Sequence, residues 1–194
     1  TARQLPGFAV SDPSRVRFGR LDYVGGFEIR ADRREVGGLS GLVIGGGGRR
    51  FLALSDDGLM VKAEIERDAR GRPVGLSSAV IRRLRTSKGV LSRDKAQSDT
   101  ESLDVYVGDG GRSFGVVSFE GRPAVMVGPM DADGFVGPMT AIDLPKGTRL
   151  LQTNRGLESV AALPAGNDLD GRLILLAEEA ERGARTDNPP GWVA

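Results

Sequence analysis

The sequence contains neither cysteine nor histidine in its 194 residues. Without cysteine, the chain cannot form a disulfide, a thiolate metal site or a cysteine nucleophile. Without histidine, it lacks the base of a Ser-His-Asp triad, the imidazole ligands of many zinc sites and the nucleophile of a histidine phosphatase. Together, these two absences exclude more kinds of active site than the motifs of the sequence support.

The sequence also lacks a charge bias and a long apolar run. Lys and Arg total 27 against 26 Asp and Glu, so the formal net charge is +1. This balance gives no electrostatic reason to expect nucleic acid or a membrane surface as a partner. No run approaches the roughly 20 apolar residues that span a bilayer, and the N-terminal TARQLPGFAV has no hydrophobic signal core. We therefore predict no nucleic-acid partner and no membrane span.

Helical periodicity is scarce, and short apolar runs take its place. Typical runs are GLVIG, SLDVYV and ESVAAL, which are rich in strand-forming residues and only a few residues long. The chain has 29 glycines, and Asp-Gly dipeptides between the runs suit tight hairpin turns. These dipeptides begin at Asp57, Asp109, Asp133 and Asp170. The pattern predicts an all-β chain.

Three segments of the chain resemble one another. They begin with GGLSGLVIG at residue 37, SDTESLDVYV at residue 98 and NRGLESVAAL at residue 154. Each segment has an apolar strand, a Gly-rich turn and a second apolar strand, which together describe a hairpin. The anchors Gly41, Ser102 and Ser159 are 61 and 57 residues apart (41 to 102 and 102 to 159), which leaves room for two more strands per unit. Four antiparallel strands per repeat predict a β-propeller with about three blades in one domain, residues 1–194.

Carboxylates stand where the first strand of a repeat starts and where its second strand ends. In a propeller the first strand lines the central channel, so these side chains would converge at the channel mouth. Such a cluster is costly unless it is solvated, protonated or neutralised by a cation, and its hard oxygen ligands suit Ca²⁺. The alternative is that the charges only keep strand ends from pairing with other sheets. The predicted metal ligands are Asp56, Asp99, Glu101, Glu120, Glu158 and Glu178.

Two other residues invite a functional interpretation. Ser40 in GGLSGLV resembles the serine of a nucleophile elbow, but that motif needs glycine two positions later, where this chain has Leu42. Because the chain has no histidine to activate it, we do not expect Ser40 to be a nucleophile, and the catalytic residue stays unknown. Arg155 is predicted near the channel mouth, where it would bind a substrate phosphate or pair with a neighbouring carboxylate.

The order of these motifs resembles a known family. GGLSGL, FLALSDDG, SDTESLDV, SFEG and NRGLESVAAL followed by GRLILLAEE are similar to the phytase-like family, also described as esterase-like activity of phytase. The resemblance extends from about residue 23 to residue 179. It implies a propeller fold, a bacterial protein exported to the periplasm or secreted, and a hydrolase of phosphate or other esters.

Two classes of function follow from this reading. In the first, the carboxylates hold Ca²⁺, and the protein hydrolyses a small anionic ester. In the second, the propeller is a non-catalytic binding or scaffolding module of the bacterial envelope, and the same carboxylates hold a structural ion or none. A fold does not choose between such functions, so both stay open at the level of sequence.

Three repeats are too few to close a propeller, which has about four to eight blades. We therefore expect the domain to be incomplete at its C-terminal side. The remaining blades would come from the same longer chain, from another copy or from a partner chain, because an open blade face leaves a large apolar surface in water. The strand-like segment 16–30 is expected to complete the last blade of the closed ring.

Overall fold

The computed structural model describes residues 1–31, 36–151, 156–163, 166, 169, 171–179 and 188–194. Within these ranges the all-β prediction is confirmed, since strands dominate and the α-helix α1 (Lys95–Ser98) has a single turn. Two short 3₁₀ helices cover Asp109–Gly111 and Lys146–Leu150. None of the helices in the described ranges has the length and apolar character needed to cross a membrane.

The N-terminal part contains four short strands that pair among themselves. These are β1 (Ala2–Gln4), β2 (Arg17–Phe18), β3 (Leu21–Asp22) and β4 (Phe27–Ile29). Strand β1 pairs antiparallel with β4, and β2 pairs with β3. The segment 16–30 therefore pairs within the N-terminal part rather than with a strand of the larger sheets described next.

The first sheet has four antiparallel strands in the order of the sequence. They are β5 (Leu39–Gly45), β6 (Arg50–Ser55), β7 (Leu59–Arg67) and β8 (Pro73–Arg83). A small hairpin of β9 (Arg85–Thr86) and β10 (Gly89–Val90) follows, and α1 leads into the next sheet.

The second and third sheets repeat this meander. The second sheet has β11 (Thr100–Val107), β12 (Ser113–Phe119) and β13 (Ala124–Asp131), with β14 (Gly134–Phe135) and β15 (Thr140–Ala141) both paired to β13. The third sheet has β16 (Leu157–Ala162), β17 (Leu173–Ala177) and β18 (Gly191–Val193).

The three sheets stack with their first strands side by side, since β11 contacts both β5 and β16. The repeat anchors fall on equivalent positions, because each first strand pairs with its second strand in the same register. The equivalent pairs are Leu42 with Ala53, Leu103 with Val117 and Val160 with Leu175. Successive antiparallel sheets with adjacent innermost strands are the arrangement of consecutive propeller blades.

The second sheet is buried on both faces because its strands carry apolar residues at neighbouring positions. Val117 packs in the core between the first and second sheets, with Leu54 and Leu103. Val116 points to the opposite face and packs with Val160 in the core between the second and third sheets. Both valines are fully buried, and each such burial contributes about 2 kcal/mol to folding.

The glycines of the four Asp-Gly dipeptides all adopt the positive φ angles of tight turns, which other residues avoid. The φ angles are 71° at Gly58, 69° at Gly110, 109° at Gly134 and 73° at Gly171. These turns connect or flank the strands that the sequence predicted.

Candidate metal centre

Each of the three sheets has an irregularity at the start of its first strand. In the first sheet, Leu39 pairs with Ser55 but Gly41 pairs with Leu54, so Ser40 is an extra residue outside the regular pairing. The second and third sheets have the same irregularity at Glu101 and Glu158. A β-bulge of this kind changes the direction in which the extra side chain points. Ser40, Glu101 and Glu158 are therefore equivalent positions at the same end of the three first strands.

A backbone hydrogen bond closes each hairpin beside this bulge. The N–H of the acidic residue that follows the second strand donates to the carbonyl of the residue near the start of the first strand. The bonds run from Asp56 to Gly38 at 2.8 Å, from Glu120 to Asp99 at 2.8 Å and from Glu178 to Gly156 at 3.1 Å. The repeated bond holds an acidic residue of the second strand close to the bulge of the first.

Neighbouring sheets are tied together at the same end. The hydroxyl of Ser40 donates to the carbonyl of Thr100 at 2.6 Å, and the N–H of Thr100 donates to the carbonyl of Asp56 at 3.3 Å. Between the second and third sheets the backbones approach so closely that a Cβ at Gly156 would lie 2.7 Å from the carbonyl oxygen of Glu120. Because of these contacts, the acidic residues of adjacent sheets converge.

The convergence brings five of the six predicted ligands together. Asp99, Glu101 and Glu120 form one group in which one carboxylate oxygen from each residue lies within 4.8 Å of the others. Glu120, Glu158 and Glu178 form a second group at the same spacing. Glu120 belongs to both groups, so the two form one continuous cluster across the second and third sheets. Such a cluster of oxygens can bind a metal ion.

The sixth predicted ligand, Asp56, reaches the cluster through a lysine that the sequence analysis missed. Lys95 Nζ lies 2.5 Å from Asp99 Oδ1 and 3.4 Å from Asp56 Oδ2. Lys95 starts helix α1, which is capped by the side chain of Asp94. The spacing of Lys95 and Asp99, four residues apart, was the available signal, because residues at that spacing meet on one face of a helix.

Burial and mutual repulsion change the protonation of the cluster. Burial, reinforced by the charges of Glu158, Asp99 and Glu120, raises the pKa of Glu101 to about 8. Burial and the nearby Asp99 raise the pKa of Glu120 to about 7, and burial also raises the pKa of Glu158. The hydrogen bond to Asp99 raises the pKa of Lys95 to about 12. Excess negative charge is thus the dominant property of the site, and a bound cation would relieve it.

Two candidate residues from the sequence stand apart from this cluster. Arg155, the predicted substrate-binding residue, lies outside the described residues. The hydroxyl of Ser40 is engaged with backbone, 2.6 Å from the carbonyl oxygen of Thr100 and 3.3 Å from that of Leu54. This hydroxyl therefore has a structural role in joining the first and second sheets.

Comparison with known protein families gives a match that covers most of the chain. The family is described as phytase-like, with esterase-like activity of phytase, and its model matches residues 34–192. The matched region contains the three sheets and all the acidic residues of the cluster. Comparison with curated proteins and with solved structures returned no match.

Proposed function

The chain belongs to the phytase-like family, and from this premise we propose that it is a Ca²⁺-dependent hydrolase of phosphate or related small anionic esters. The observation that carries the proposal is the pair of carboxylate groups that share Glu120. The family description supports an esterase-like or phosphatase-like activity in general terms. The choice of ester and of ion is our inference from the chemistry of the site.

The donor set fits Ca²⁺ by both chemistry and spacing. Ca²⁺ takes about six to eight oxygen ligands at about 2.3–2.6 Å, so two oxygens on one ion are at most about 5 Å apart. In each group, one carboxylate oxygen from each of the three residues lies within 4.8 Å of the others. Cysteine and histidine, the ligands that favour zinc or copper, are absent from the sequence. Ca²⁺ would be held by Glu120 together with Glu101 and Asp99 or with Glu158 and Glu178.

The bound ion would supply charge neutralisation for an anionic ester and activation of water. The protein residues supply the rest. Without an ion, Glu101 and Glu120, whose pKa values are raised to about 8 and about 7, hold protons near neutral pH, so binding of a cation would release these protons. Lys95 has its ammonium group at the edge of the cluster and can attract a negatively charged ester.

We also propose that the protein works in the periplasm or outside a bacterial cell. The resemblance of its motifs to exported bacterial proteins supports this localisation. A Ca²⁺ site of modest affinity suits this setting, because extracellular modules bind Ca²⁺ at about 10⁻⁴–10⁻³ M.

A non-catalytic role as an envelope binding module is the second candidate. The observation that favours it is that Asp99, nearly fully buried, already has the ammonium group of Lys95 as its partner. A site that is partly neutralised by the protein itself is suited to a structural ion. In this case the ion would fix the ends of the second and third sheets without turnover.

The test combines cation binding with a substrate screen. Protein treated with a chelator is titrated calorimetrically with Ca²⁺, and a panel of phosphate and carboxylic esters is assayed with and without Ca²⁺. Glu120→Gln should weaken Ca²⁺ binding at least tenfold and abolish the Ca²⁺-dependent turnover. Glu64→Gln, an exposed acid on β7 away from the cluster, is the matched control and should change neither.

The outcomes separate the proposals. Turnover that persists in chelator contradicts a Ca²⁺-dependent hydrolase. Tight Ca²⁺ binding that depends on Glu120, without turnover of any ester in the panel, favours the binding module.

A further inference from the structure

Three arginines lie within four residues at the edge of the first sheet. Arg82 and Arg83 are the last two residues of β8, and Arg85 is the first residue of β9. All three line a cleft of about 540 Å³ between this edge and the β13–β14 hairpin of the second sheet. A cleft of this volume is large enough for a small ligand. It shares none of its residues with the carboxylate cluster.

Contacts between the two sheets fix the walls of the cleft. The N–H of Met139 donates to the carbonyl of Arg85 at 2.8 Å, and the N–H of Ser87 donates to the carbonyl of Met139 at 3.0 Å. At the hairpin turn, a Cβ at Gly134 would lie 2.7 Å from Met60 Sδ, so the turn packs directly against the first sheet. The cleft is therefore formed before a ligand binds, which lowers the entropic cost of binding.

The three guanidinium groups differ in what they bind within the chain. Arg83 Nη1 donates to the carbonyl of Asp57 at 2.6 Å and to that of Ser92 at 3.4 Å. In contrast, the guanidinium groups of Arg82 and Arg85 form neither a hydrogen bond nor a salt bridge with the residues that the structure describes. Arg83 therefore supports the fold, whereas Arg82 and Arg85 have their donors available for a ligand.

Two carboxylates in the cleft only partly neutralise these arginines. Asp133 forms a salt bridge with Lys62, and Asp131 Oδ1 accepts a hydrogen bond from the N–H of Asp133 at 2.6 Å. The three arginines and Lys62 outnumber the two aspartates, which leaves an excess of two positive charges. The cleft therefore attracts an anion.

Apolar side chains form the rest of the cleft and indicate the class of ligand. Met60 and Leu84 are 4% and 3% exposed and belong to the core between the first and second sheets, and Phe135 packs against that core. Arginine forks bind phosphate groups through paired hydrogen bonds. We propose that the cleft binds a small phosphate monoester, with its phosphate between Arg82 and Arg85 and its apolar organic group against Phe135. This inference does not depend on the proposed hydrolase activity.

Calorimetric titration with phenylphosphonate tests the proposal, because this mimic of a phosphate monoester has a C–P bond that a phosphatase does not hydrolyse. The buffer contains a chelator, so that no cation can recruit the probe to the carboxylate cluster. We expect saturable binding with a dissociation constant below about 1 mM. Inorganic phosphate, which lacks the apolar group, should bind at least about threefold more weakly. In an NMR titration the amide signals of Leu84 and Phe135 should shift, and that of Glu120 should not.

Two variants and a matched control make the test specific. Arg82→Gln and Arg85→Gln should each raise the dissociation constant at least about tenfold, because each removes a charged pair of donors. Both residues are exposed and their guanidinium groups bind no other described residue, so the fold should persist, and circular dichroism checks this. Arg70→Gln removes the same charge from an exposed turn between β7 and β8 and should leave the constant unchanged.

The outcomes decide between the cleft and a general effect of charge. An absence of saturable binding in chelator overturns the proposal, and so does an equal loss of affinity in Arg70→Gln and Arg82→Gln. Equal affinity for inorganic phosphate and phenylphosphonate overturns the assigned class of ligand. Amide shifts at Glu120 instead of Leu84 and Phe135 would place the bound anion at the carboxylate cluster and would also overturn the proposal.

Discussion

Lys95 Nζ lies 2.5 Å from Asp99 Oδ1, so a cation of the protein itself sits at the edge of the carboxylate cluster. The carboxyl group of Asp99 is only 4% exposed, and the lysine side chain is 58% exposed. The same ammonium group is 3.4 Å from Asp56, and it therefore connects the ends of the first and second sheets. A cation that binds the cluster would therefore compete with this ammonium group for Asp99.

Replacement of this lysine should affect stability and ion binding in opposite directions. Without cation, Lys95→Met should lower the free energy of unfolding by about 1 kcal/mol, because the buried Asp99 loses its hydrogen-bond donor. With Ca²⁺, the variant should bind the ion about three- to tenfold more tightly, because a repelling charge is removed. Urea unfolding and calorimetry measure the two effects. Lys95→Arg keeps the charge and is the control, and weaker Ca²⁺ binding by Lys95→Met would contradict the electrostatic account.

The raised pKa values of Glu101 and Glu120 predict how stability depends on pH in the absence of divalent cations. Between about pH 4.5 and 8, the folded chain holds more protons on these carboxyls than the unfolded chain, whose carboxyls have ordinary pKa values near 4.5. The free energy of unfolding should therefore fall as pH rises from 5 to 8. Denaturant unfolding in chelator at three pH values in this range measures the slope.

Two comparisons make the pH prediction specific. Glu101→Gln should flatten the slope, because the amide cannot ionise. Saturating Ca²⁺ should also flatten it, because the ion compensates the charge that appears as the protons leave. A free energy of unfolding that rises between pH 5 and 8 would show that the cluster is not desolvated as described.

A methyl group at Gly156 should damage the contact between the second and third sheets. The Cβ of Gly156→Ala would lie 2.7 Å from the carbonyl oxygen of Glu120, which is too close for any real contact, so the two sheets must separate locally. We expect a loss of about 1–3 kcal/mol in stability and weaker Ca²⁺ binding. Gly45→Ala is the matched control because a Cβ there meets nothing within 4 Å. Thermal unfolding and calorimetry compare the two variants, and equal behaviour would contradict the prediction.

Removal of the Ser40 hydroxyl should affect stability and leave ester turnover unchanged. The hydroxyl donates to the carbonyl of Thr100 in the neighbouring sheet, and loss of one such bond costs about 1 kcal/mol. Ser40→Ala should therefore lower the unfolding temperature by a few degrees. Kinetic assays in Ca²⁺ check the second half of the prediction. Loss of turnover in a folded Ser40→Ala protein would indicate a covalent serine mechanism.

The sequence revealed the repeated hairpins because their signals are local. Runs of strand-forming residues around Leu42, Leu103 and Val160, each followed by a Gly-rich turn and a second apolar run, are sufficient to place equivalent strands. The sequence predicted that Glu101 and Glu158 converge because each stands at the start of a first strand, and this reason is incomplete. Their side chains converge because each is the extra residue of a bulge, and a bulge depends on the register between two strands rather than on the composition of one.

Features that depend on distant parts of the chain were not predictable in the same way. The segment 16–30 looks strand-like, but Phe27–Ile29 pairs with Ala2–Gln4, and nothing in either short segment specifies the other. Lys95 lies in a helix of one turn, which is too short to show periodicity, so its spacing of four residues from Asp99 was the available local signal. Its role follows from Asp94, which caps the helix, and from Asp99, which the helix carries into the cluster.

The residues that accept the hairpin-closing hydrogen bonds are Gly38, Asp99 and Gly156. The three sheets therefore repeat the same backbone hydrogen bond but carry different side chains at the acceptor position. Units with identical side chains would offer a ligand several equivalent orientations. Of these three acceptor residues, only that of the second unit is an acid, and this acid, Asp99, is buried and bonded to Lys95. The difference makes the cluster asymmetric within the described residues, because Lys95 balances negative charge on the side of the first sheet, whereas Glu120, Glu158 and Glu178 form the side of the third. An asymmetric ester that binds there would meet one preferred orientation instead of several.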